Sequence, residues 1–479
     1  MSSAFMKSKF PSDIALTKIE KTINGLLPET AFFGKYDKPA TLTDRMARFR
    51  IPGVSIAVVN DGLVEWIRGF GIRRWGGDDP VTEDTLFQVA SISKPVFALA
   101  VMHLWEAGKL DIDEDVNVYL RSWRVPKNGD WQPRVTLRQI LTHTAGFTVH
   151  GFLGYSMGQR IPSVVEILQG TVPSNSPPVE VNIFPGLQYR YSGGGMTVAQ
   201  QAITDFIGKP FPEIMRQEVL EPLGMTRSSF EQPPSEHIIA TAATGHHTGM
   251  QPIAGGSYIH PEMAAAGLWT TPGELALLGI EMQKALQGKS QFLGQKTATE
   301  MLTIQGGMGL GFAIAGKGSS ARFLHYGGNG GFLSAFIMYQ RHGQGAVVMI
   351  NADQGTRILD EILRSIAIEY CWKDYLPQPT ASGQSNPSDL DSYVGAYRTE
   401  SGVDIVATKD ADVLFLAVGK QAPVTLQQAE HDCFFAKAVD ARINFVRNEN
   451  GAVLRLTIDQ SGCSTHAIRI IVETARNTV

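Results

Sequence analysis

The chain has 479 residues, of which 43% are hydrophobic and 18% charged, and its formal net charge is −4. This length exceeds one compact core and predicts two domains. The small charge gives no strong attraction to nucleic acid or an anionic membrane, and no apolar run approaches the about 20 residues that span a bilayer. We therefore expect neither nucleic acid nor a membrane as a partner.

The first predicted elements are a helix and a β-hairpin. An amphipathic pattern predicts a helix over 13–27, and the stretches 53–60 and 63–70 have the composition of strands. Asp61-Gly62 between the two stretches is typical of a two-residue hairpin turn.

The next predicted element is a helix that begins with a serine and a lysine. Ser91-x-x-Lys94 follows the apolar run 86–90, Pro95 falls in the first helical turn, and the helix continues to about Gly108. Lys94 then lies one turn from Ser91 on the same face, where it could serve as the base that a serine nucleophile needs. A serine at a helix start is often only an N-cap, so the motif requires support from the rest of the chain.

Two glycine-rich segments supply further groups that such a serine would need. Residues 184–195 place Tyr191 in a loop before a helix predicted over 197–207. Residues 324–332 place His325 before four glycines, ahead of a predicted hairpin. Dense glycine allows backbone N–H groups to approach a substrate without interference from side chains.

The composition changes after a helix predicted over 357–372. Residues 377–387 are polar and rich in Pro, Ser and Gly, which is typical of an interdomain linker. Short alternating segments separated by turn signals then predict a small antiparallel barrel or sandwich. The predicted strands are 395–399, 403–408, 413–418, 424–427, 433–436, 442–447, 452–458 and 465–472.

In this order, the motifs resemble those of the serine β-lactamase-like family, which includes class C β-lactamases, low-molecular-weight penicillin-binding proteins, D-aminopeptidases and family VIII carboxylesterases. The resemblance covers about residues 40–372 and includes the flanking segments 135–146, 221–225 and 266–275. The C-terminal segment is similar to the lipocalin-like barrel that many such hydrolases carry.

The resemblance implies an α+β fold in two domains. The first is a β-lactamase/transpeptidase-like catalytic domain, an antiparallel sheet flanked by helices plus a helical subdomain, and the second is a small antiparallel β-barrel. We expect the hydrolase domain over 1–375, the linker over 376–388 and the lipocalin-like domain over 389–479.

The resemblance also implies roles for the first two motifs. Ser91 matches the nucleophile, and Lys94 matches the base that takes its proton. Tyr191 matches the tyrosine of the family's Tyr-x-Asn motif, which passes a proton to the leaving group; Tyr189, two residues earlier, matches a packed aromatic instead.

The third motif, His-x-Gly in many esterases and peptidases, is matched by His325 and Gly327. The oxyanion hole would consist of the backbone N–H groups of Ser91 and Gly328. We expect Tyr326 and Asn329, in the same segment, to contact the substrate, with Tyr326 narrowing the acyl pocket.

One position departs from the family. Gly193 stands where the family has the asparagine of Tyr-x-Asn, whose amide touches both the lysine and the substrate. Glycine offers neither contact, and we expect it to leave space there. This departure argues against efficient β-lactam hydrolysis and favours substrates without that amide contact, such as simple esters.

We predict a serine hydrolase that forms an acyl-enzyme at Ser91 and cleaves a carboxylic ester or a small D-residue peptide or amide. An acyltransferase that uses the same acyl-enzyme, and a penicillin-binding sensor or weak β-lactamase, remain as alternatives. We expect no metal and no cofactor, a small-molecule substrate, and a homo-oligomer formed through the C-terminal domain. The N-terminus shows no signal peptide, and the three cysteines have no metal-like spacing, so we expect a cytoplasmic protein.

Overall fold

The computed structural model describes two compact units. The first contains the N-terminal helix and Leu42–Tyr375, and the second is an eight-stranded barrel. The predicted linker over 376–388 lies almost entirely outside the described residues, so the domain boundaries stay a prediction. The structure describes residues 13–27, 39–376, 387–419, 421–436, 439, 441–460 and 463–470.

The first unit is built on a six-stranded antiparallel sheet. The strands of this unit are β1 (Gly53–Asn60), β2 (Leu63–Gly71), β3 (Phe87–Gln88), β4 (His246–His247), β5 (Gln251–Pro252), β6 (Trp269–Thr270), β7 (Ala313–Ala315), β8 (Arg322–Asn329), β9 (Phe332–Tyr339) and β10 (Gly345–Ile350). The sheet has the order β2-β1-β10-β9-β8-β7, while β3 pairs with β6 and β4 with β5. Asp61 and Gly62, with φ of 54° and 72°, form the predicted turn between β1 and β2.

Helices cover the sheet and build a second, mainly helical region. They are α1 (Asp13–Ile23), α2 (Leu42–Phe49), α3 (Ser93–Glu106), α4 (Leu137–Leu141), α5 (Val164–Gln169), α6 (Gly193–Ile207), α7 (Phe211–Met215), α8 (Glu236–Thr241), α9 (Met263–Ala266), α10 (Pro272–Leu286), α11 (Gln295–Leu302) and α12 (Thr356–Glu369). α10 packs on β1 and β10, and α12 packs on β10. β10 is buried at every residue, so its apolar sequence is explained by cover on both faces.

The central helix of this unit is α3. It is apolar on all sides, and every residue from Ser93 to Met102 is buried, as expected for a helix that is surrounded by protein. Lys94 belongs to its first turn, so the fold itself places an amine in the core.

The second unit is a closed antiparallel barrel, which confirms the predicted small β-barrel. Residues alternate between the inside and the outside of the barrel; on its second strand Ile405 and Ala407 are buried while Asp404 and Val406 are exposed. The strands are β11 (Gly395–Thr399), β12 (Asp404–Asp410), β13 (Val413–Val418), β14 (Val424–Glu430), β15 (Cys433–Ala436), β16 (Ala441–Arg447), β17 (Val453–Gln460) and β18 (Cys463–Arg469).

Three elements differ from the sequence-based expectation. α1 ends at Ile23 rather than at residue 27. α6 begins at Gly193 rather than at residue 197, because Ser192 Oγ accepts a hydrogen bond from the N–H of Gly195 at 2.9 Å and caps the helix. The glycine-rich segment around His325, for which the sequence predicts no regular element, is strand β8.

Among the described residues, no helix is long and apolar enough to cross a membrane.

Candidate active site

Ser91 lies in a short 3-10 turn directly before α3. Ala90 in this turn has a φ of 48°, a left-handed conformation that costs a non-glycine residue about 1–2 kcal/mol. Ser93 Oγ donates to the carbonyl of Ala90 at 2.6 Å and accepts from the N–H of Leu268 at 3.0 Å. These two hydrogen bonds hold the strained turn in place, and with it the Ser91 side chain.

The Ser91 hydroxyl lies between a lysine amine and a tyrosine hydroxyl. Lys94 Nζ is 2.9 Å from Ser91 Oγ, and Tyr191 OH donates to the same oxygen at 2.8 Å. Lys94 Nζ also donates to the carbonyl of Ala265 at 2.7 Å, and it sits 4.9 Å from the centre of the Tyr191 ring. Tyr189 is 46% exposed and has no hydrogen bond to Ser91 in the contacts described. The structure thus brings together the three residues that the first two motifs predicted.

Burial determines which of these groups titrates near neutral pH. It lowers the pKa of Lys94 from its ordinary value of 10.5 to about 7, because an ammonium loses hydration in the core. It raises the pKa of Tyr191 to about 12, so the phenol keeps its proton. A neutral Lys94 amine is therefore available to accept the proton of Ser91.

Two histidines pack against Tyr191. The ring of His143 is 4.3 Å from the Tyr191 ring, and that of His150 is 4.9 Å from it, centre to centre. His143 Nδ1 accepts a hydrogen bond from the N–H of Ser192 at 3.2 Å. Burial, followed by the charge of Lys94, lowers the pKa of both histidines. They position the phenol as neutral rings and add no positive charge beside Lys94.

The space beside Gly193 is occupied, which corrects the expectation that this glycine leaves room. A β-carbon at this position would stand 3.1 Å from the carbonyl oxygen of His150 and 3.1 Å from a ring carbon of Phe152. An asparagine would require both to move. Sequence reasoning missed His150 and Phe152, because they lie between α4 and α5 in a stretch without helix or strand periodicity.

Gly327 allows β8 to approach the turn that carries Ser91. A β-carbon there would stand 2.1 Å from the carbonyl oxygen of Val89. β7 pairs with β8 only from Arg322 to Leu324, so the following residues of β8 have an edge that no other described strand covers. Gly328 is exposed beyond that point. Backbone N–H groups at such an edge can bind an oxyanion, although the pairing of Gly328 with Ser91 in an oxyanion hole stays a prediction.

His325 is a neutral, buried residue of this strand. Its Nδ1 lies 2.7 Å from the carbonyl oxygen of Tyr326. Burial and then the charge of Lys94 lower the pKa of His325 to about 3. His325 therefore does not contribute a positive charge that would lower the pKa of Lys94; burial accounts for that shift.

Strand alternation places Tyr326 on the face opposite His325 and Gly327. Arg322 is on the Tyr326 face, where its guanidinium lies 5.4 Å from the centre of the Tyr375 ring. The expected narrowing of the acyl pocket by Tyr326 therefore does not follow from its position in the strand.

Asn329 lies at the end of β8 and is held by other protein groups. Its Nδ2 donates to Gln88 Oε1 and to the carbonyl of Ala266, both at 3.1 Å. The amide nitrogen of Asn329 thus ties β8 to β3 and α9, and contact of Asn329 with a substrate stays a prediction.

Two buried titratable residues near α9 were not singled out from the sequence. His260 and Glu262 are fully buried, and neither the His260 ring nitrogens nor the Glu262 carboxylate oxygens bond to another residue that the structure describes. Burial raises the pKa of Glu262 to about 8. Among the described residues, no group of three His, Cys, Asp or Glu side chains could hold a metal ion.

Two family models match the chain. The model described as Beta-lactamase matches residues 39–369, and the model described as Domain of unknown function (DUF3471) matches residues 380–470. The first match includes Ser91, Lys94 and Tyr191, and the second includes the barrel strands.

Two curated relatives match less than half of the chain. The beta-lactamase of Pseudomonas fluorescens is 25% identical over 214 residues, 45% of this chain and 55% of the relative. Esterase EstB of Burkholderia gladioli is 28% identical over 209 residues, 42% of this chain and 51% of the relative. The chain therefore spans about half the length of these two relatives.

A solved structure matches most of the chain. The octameric penicillin-binding protein homologue from Pyrococcus abyssi has a TM-score of 0.59 at 21% identity, and the match covers 89% of this chain and 98% of that chain. At this identity the likeness shows the shared fold.

Proposed function

The chain belongs to the beta-lactamase family, and from this premise we propose that it is a serine hydrolase that acts on a carboxylic ester or a small peptide-like amide through an acyl-enzyme. One observation carries the proposal: Ser91 Oγ is within hydrogen-bond distance of both Lys94 Nζ and Tyr191 OH. A nucleophile in contact with a base and a proton donor is the arrangement that acyl transfer requires.

In the acylation half, neutral Lys94 takes the proton of Ser91 while Ser91 Oγ forms a bond to the substrate carbonyl carbon. The N–H groups of Ser91 and Gly328 donate hydrogen bonds to the carbonyl oxygen and stabilise the negative charge that develops on it. Loss of one such donor typically costs about 2.7–4 kcal/mol of transition-state stabilisation. Tyr191 gives its proton to the leaving group as the bond between the carbonyl carbon and the leaving group breaks. Lys94 then returns a proton to Tyr191, so the proton that Ser91 lost ends on Tyr191 and Lys94 is neutral again.

In the deacylation half, water attacks the acyl-enzyme. As the water oxygen forms a bond to the acyl carbon, Tyr191 takes a proton from the water and passes its own proton to neutral Lys94. The bond between the acyl carbon and Ser91 Oγ then breaks, Lys94 gives a proton to Ser91 Oγ, and the acyl group leaves as an acid. Both halves use the same three side chains, which is expected because deacylation reverses the roles of acylation.

The surroundings of Gly193 favour esters over amides. Phe152 fills the position beside Gly193. Where the side-chain amide of the family's asparagine would contact the amide of a substrate, this site therefore presents an aromatic ring. An alcohol also leaves more readily than an amine and needs less assistance from a proton donor. The family relative named as an esterase supports the same preference.

The proposal is tested by comparing substitutions with matched controls. We expect Ser91→Ala to abolish hydrolysis of p-nitrophenyl esters, and Tyr191→Phe to lower kcat by about 100-fold or more. Tyr189→Phe is the control, since Tyr189 is 46% exposed and its ring lies 6.0 Å from that of His143, whereas Tyr191 OH donates to Ser91 Oγ. Full activity of Ser91→Ala would exclude the mechanism.

The purified wild-type chain also distinguishes the hydrolase from the alternative functions, a penicillin-binding sensor and an acyltransferase. Mass spectrometry after incubation with a β-lactam would reveal a sensor by a stable adduct at Ser91 without turnover, and an added amine or alcohol would reveal an acyltransferase by acylated product. Assembly into a homo-oligomer through the barrel stays a prediction, which light scattering on the full chain tests; the Pyrococcus abyssi homologue is described as octameric.

A further inference from the structure

The first unit contains a cavity of about 630 Å³ that is separate from the residues around Ser91. Its wall consists of Trp269 and three segments: the turn that follows β2, helix α8 with the residues after it, and the loop over 251–257. None of the side chains described around Ser91 belongs to this wall. Small-molecule sites typically have volumes of about 300–1,000 Å³, so the cavity has room for one small ligand.

The inner wall of the cavity is mostly apolar. Ile238, Ala243, Ile253 and Trp269 contribute to it, and each of them is at most 6% exposed. The ring of Trp269 packs edge-on against that of Phe332, with the two centroids 5.9 Å apart. Apolar surface that is buried against such a wall contributes about 25 cal/mol for each Å² removed from water. This part of the cavity therefore favours a ligand with an apolar body.

Charged side chains also line the cavity, namely the guanidinium groups of Arg73 and Arg74 and the carboxylate of Asp79. Arg73 Nη2 donates to Asp79 Oδ2 at 2.7 Å, and Arg73 Nη1 donates to the carbonyl of Ala240 at 2.7 Å. Asp79 therefore already has its counter-charge in Arg73. Arg74 is exposed and has no ion pair with another residue that the structure describes. The described residues of the wall thus carry a positive charge in excess.

Backbone hydrogen bonds hold the charged turn against the segment that follows α8. The N–H of Arg73 donates to the carbonyl of Asp79, and the N–H of Thr244 donates to the carbonyl of Arg73, both at 2.9 Å. The N–H of Ala243 donates to the carbonyl of the buried Leu86 at 2.8 Å. The wall is therefore formed before a ligand binds, and a preformed site loses less free energy to ordering on binding.

We propose that this cavity is a binding site for a small carboxylate with an apolar body. Guanidinium groups bind carboxylates through charge-assisted hydrogen bonds, which are about twice as strong as those between neutral groups. The carboxylate of the ligand lies at Arg73 and Arg74, and its apolar body lies against Ile238 and Trp269. A cation would be repelled by the excess positive charge, and a neutral molecule would leave Arg74 without a counter-charge. The site is separate from Ser91, so the proposal does not depend on the hydrolase activity.

Isothermal titration calorimetry of the full chain with 2-naphthoate tests the proposal. We expect saturable binding of one 2-naphthoate per chain, and binding of 2-naphthamide, which has the same shape without the charge, that is weaker by about tenfold or more. Arg74→Gln removes the unpaired charge, and Ala240→Trp fills the cavity from an exposed position; each should lower the affinity for 2-naphthoate by about tenfold or more. Arg68→Gln and His237→Trp are the matched controls, since both residues are exposed, on β2 and α8 respectively, and neither lines the cavity. Both controls should leave the affinity unchanged.

Circular dichroism identifies any variant that fails to fold, and the other cavity variant then decides the result. The proposal is overturned if folded Arg74→Gln or Ala240→Trp binds 2-naphthoate as tightly as the wild type does, which is the result expected for binding elsewhere in the chain. It is also overturned if the wild type shows no saturable binding, or if 2-naphthamide binds as well as 2-naphthoate. Hydrolysis of p-nitrophenyl esters is measured separately, so a failure of this site and a failure of the hydrolase proposal are distinguishable.

Discussion

At the scale of single residues, Lys94 determines both the chemistry and part of the stability of the first unit. Its side chain is 2% exposed and its ammonium has one carbonyl, that of Ala265, and the Ser91 hydroxyl as partners. The same burial that makes the amine a usable base at neutral pH makes the charged form unfavourable in the folded state. Two measurements should therefore depend on the same titration.

The first is the pH dependence of hydrolysis. Since the pKa of Lys94 lies at about 7 and only the neutral amine can accept the Ser91 proton, kcat/KM should rise with pH through about 7 and reach a plateau above it. A pH profile with a p-nitrophenyl ester measures this. A profile that is flat between about pH 6 and 8 would contradict the assignment of Lys94 as the base.

The second is the pH dependence of stability. The folded pKa of Lys94 is about 7 and its ordinary value is 10.5, so between these values the unfolded chain binds more protons and the free energy of unfolding rises with pH. Lys94→Met removes the buried ion, and such replacements are often neutral or stabilising by about 1–4 kcal/mol. We expect its gain over the wild type to be largest below pH 7 and to shrink toward pH 10.5.

Glu262→Gln is a control for that measurement, because the stability gain of this variant is expected to change with pH in the opposite direction. Burial raises the pKa of Glu262 from 4.5 to about 8, so its contribution to stability is present below pH 4.5 and is lost as the pH rises through about 8. The gain of Glu262→Gln over the wild type should therefore grow with pH. Thermal unfolding midpoints of both variants across the pH range check the pair, and parallel pH trends would contradict the two pKa shifts.

At the scale of elements, the turn between β8 and β9 is fixed by a carboxylate outside it. Asp353 accepts hydrogen bonds from the N–H of Gly331 and from His247 Nδ1, the latter at 2.7 Å. His247 Nε2 lies 3.1 Å from the hydroxyl of Tyr258. Because the turn continues directly from Gly328, this carboxylate helps to set where the exposed edge of β8 ends.

Asp353→Asn tests that positioning role. The asparagine side chain keeps the shape of the aspartate but loses its charge. Hydrogen bonds to a charged group are worth about 1.5–3 kcal/mol, and we expect part of this energy to be lost. The expected result is a several-fold lower kcat with little change in KM. Asp79→Asn is the control, since Asp79 is 74% exposed in its ion pair with Arg73. A rise in KM alone would indicate that Asp353 shapes substrate binding and does not position the oxyanion N–H.

The elements also show which features were predictable from the sequence. The barrel strands and the hairpin of β1 and β2 were predictable from the alternation of apolar and polar residues and from the turn residues between strands. The folded structure keeps these local preferences. β8 and the first turn of α6 were not predicted, because their glycines interrupt the local patterns of strand and helix. Gly194 and Gly195 instead allow α6 to approach neighbouring groups, as a β-carbon at Gly195 would stand 3.1 Å from a ring carbon of Phe147. Tertiary approach of this kind has no local sequence signal.

The site divides in the same way. Ser91, Lys94 and Tyr191 were predictable because their motifs carry the chemistry in fixed order. The groups that hold these three side chains were not predictable. The carbonyl of Ala265 contacts Lys94, and the ring of His150 contacts Tyr191, only when distant segments pack together.

At the scale of the whole molecule, the described residues include two large apolar cores. One surrounds α3 and α10 in the first unit, and the other lies inside the barrel. Each core is surrounded by helices or strands of its own unit. Since a unit with its own hydrophobic core can unfold cooperatively, we expect each unit to have an unfolding transition of its own.

Calorimetry of the full chain tests this with a matched pair of substitutions. Leu278 in α10 is 1% exposed and Leu456 in β17 is 0% exposed, and a change of either to alanine should cost about 2–5 kcal/mol through lost burial and the cavity left behind. We expect two unfolding transitions, with Leu278→Ala lowering one and Leu456→Ala lowering the other. Val413→Ala, at a position 38% exposed on the barrel, should leave both in place. A single transition that moves with either leucine substitution would show instead that the two cores unfold as one.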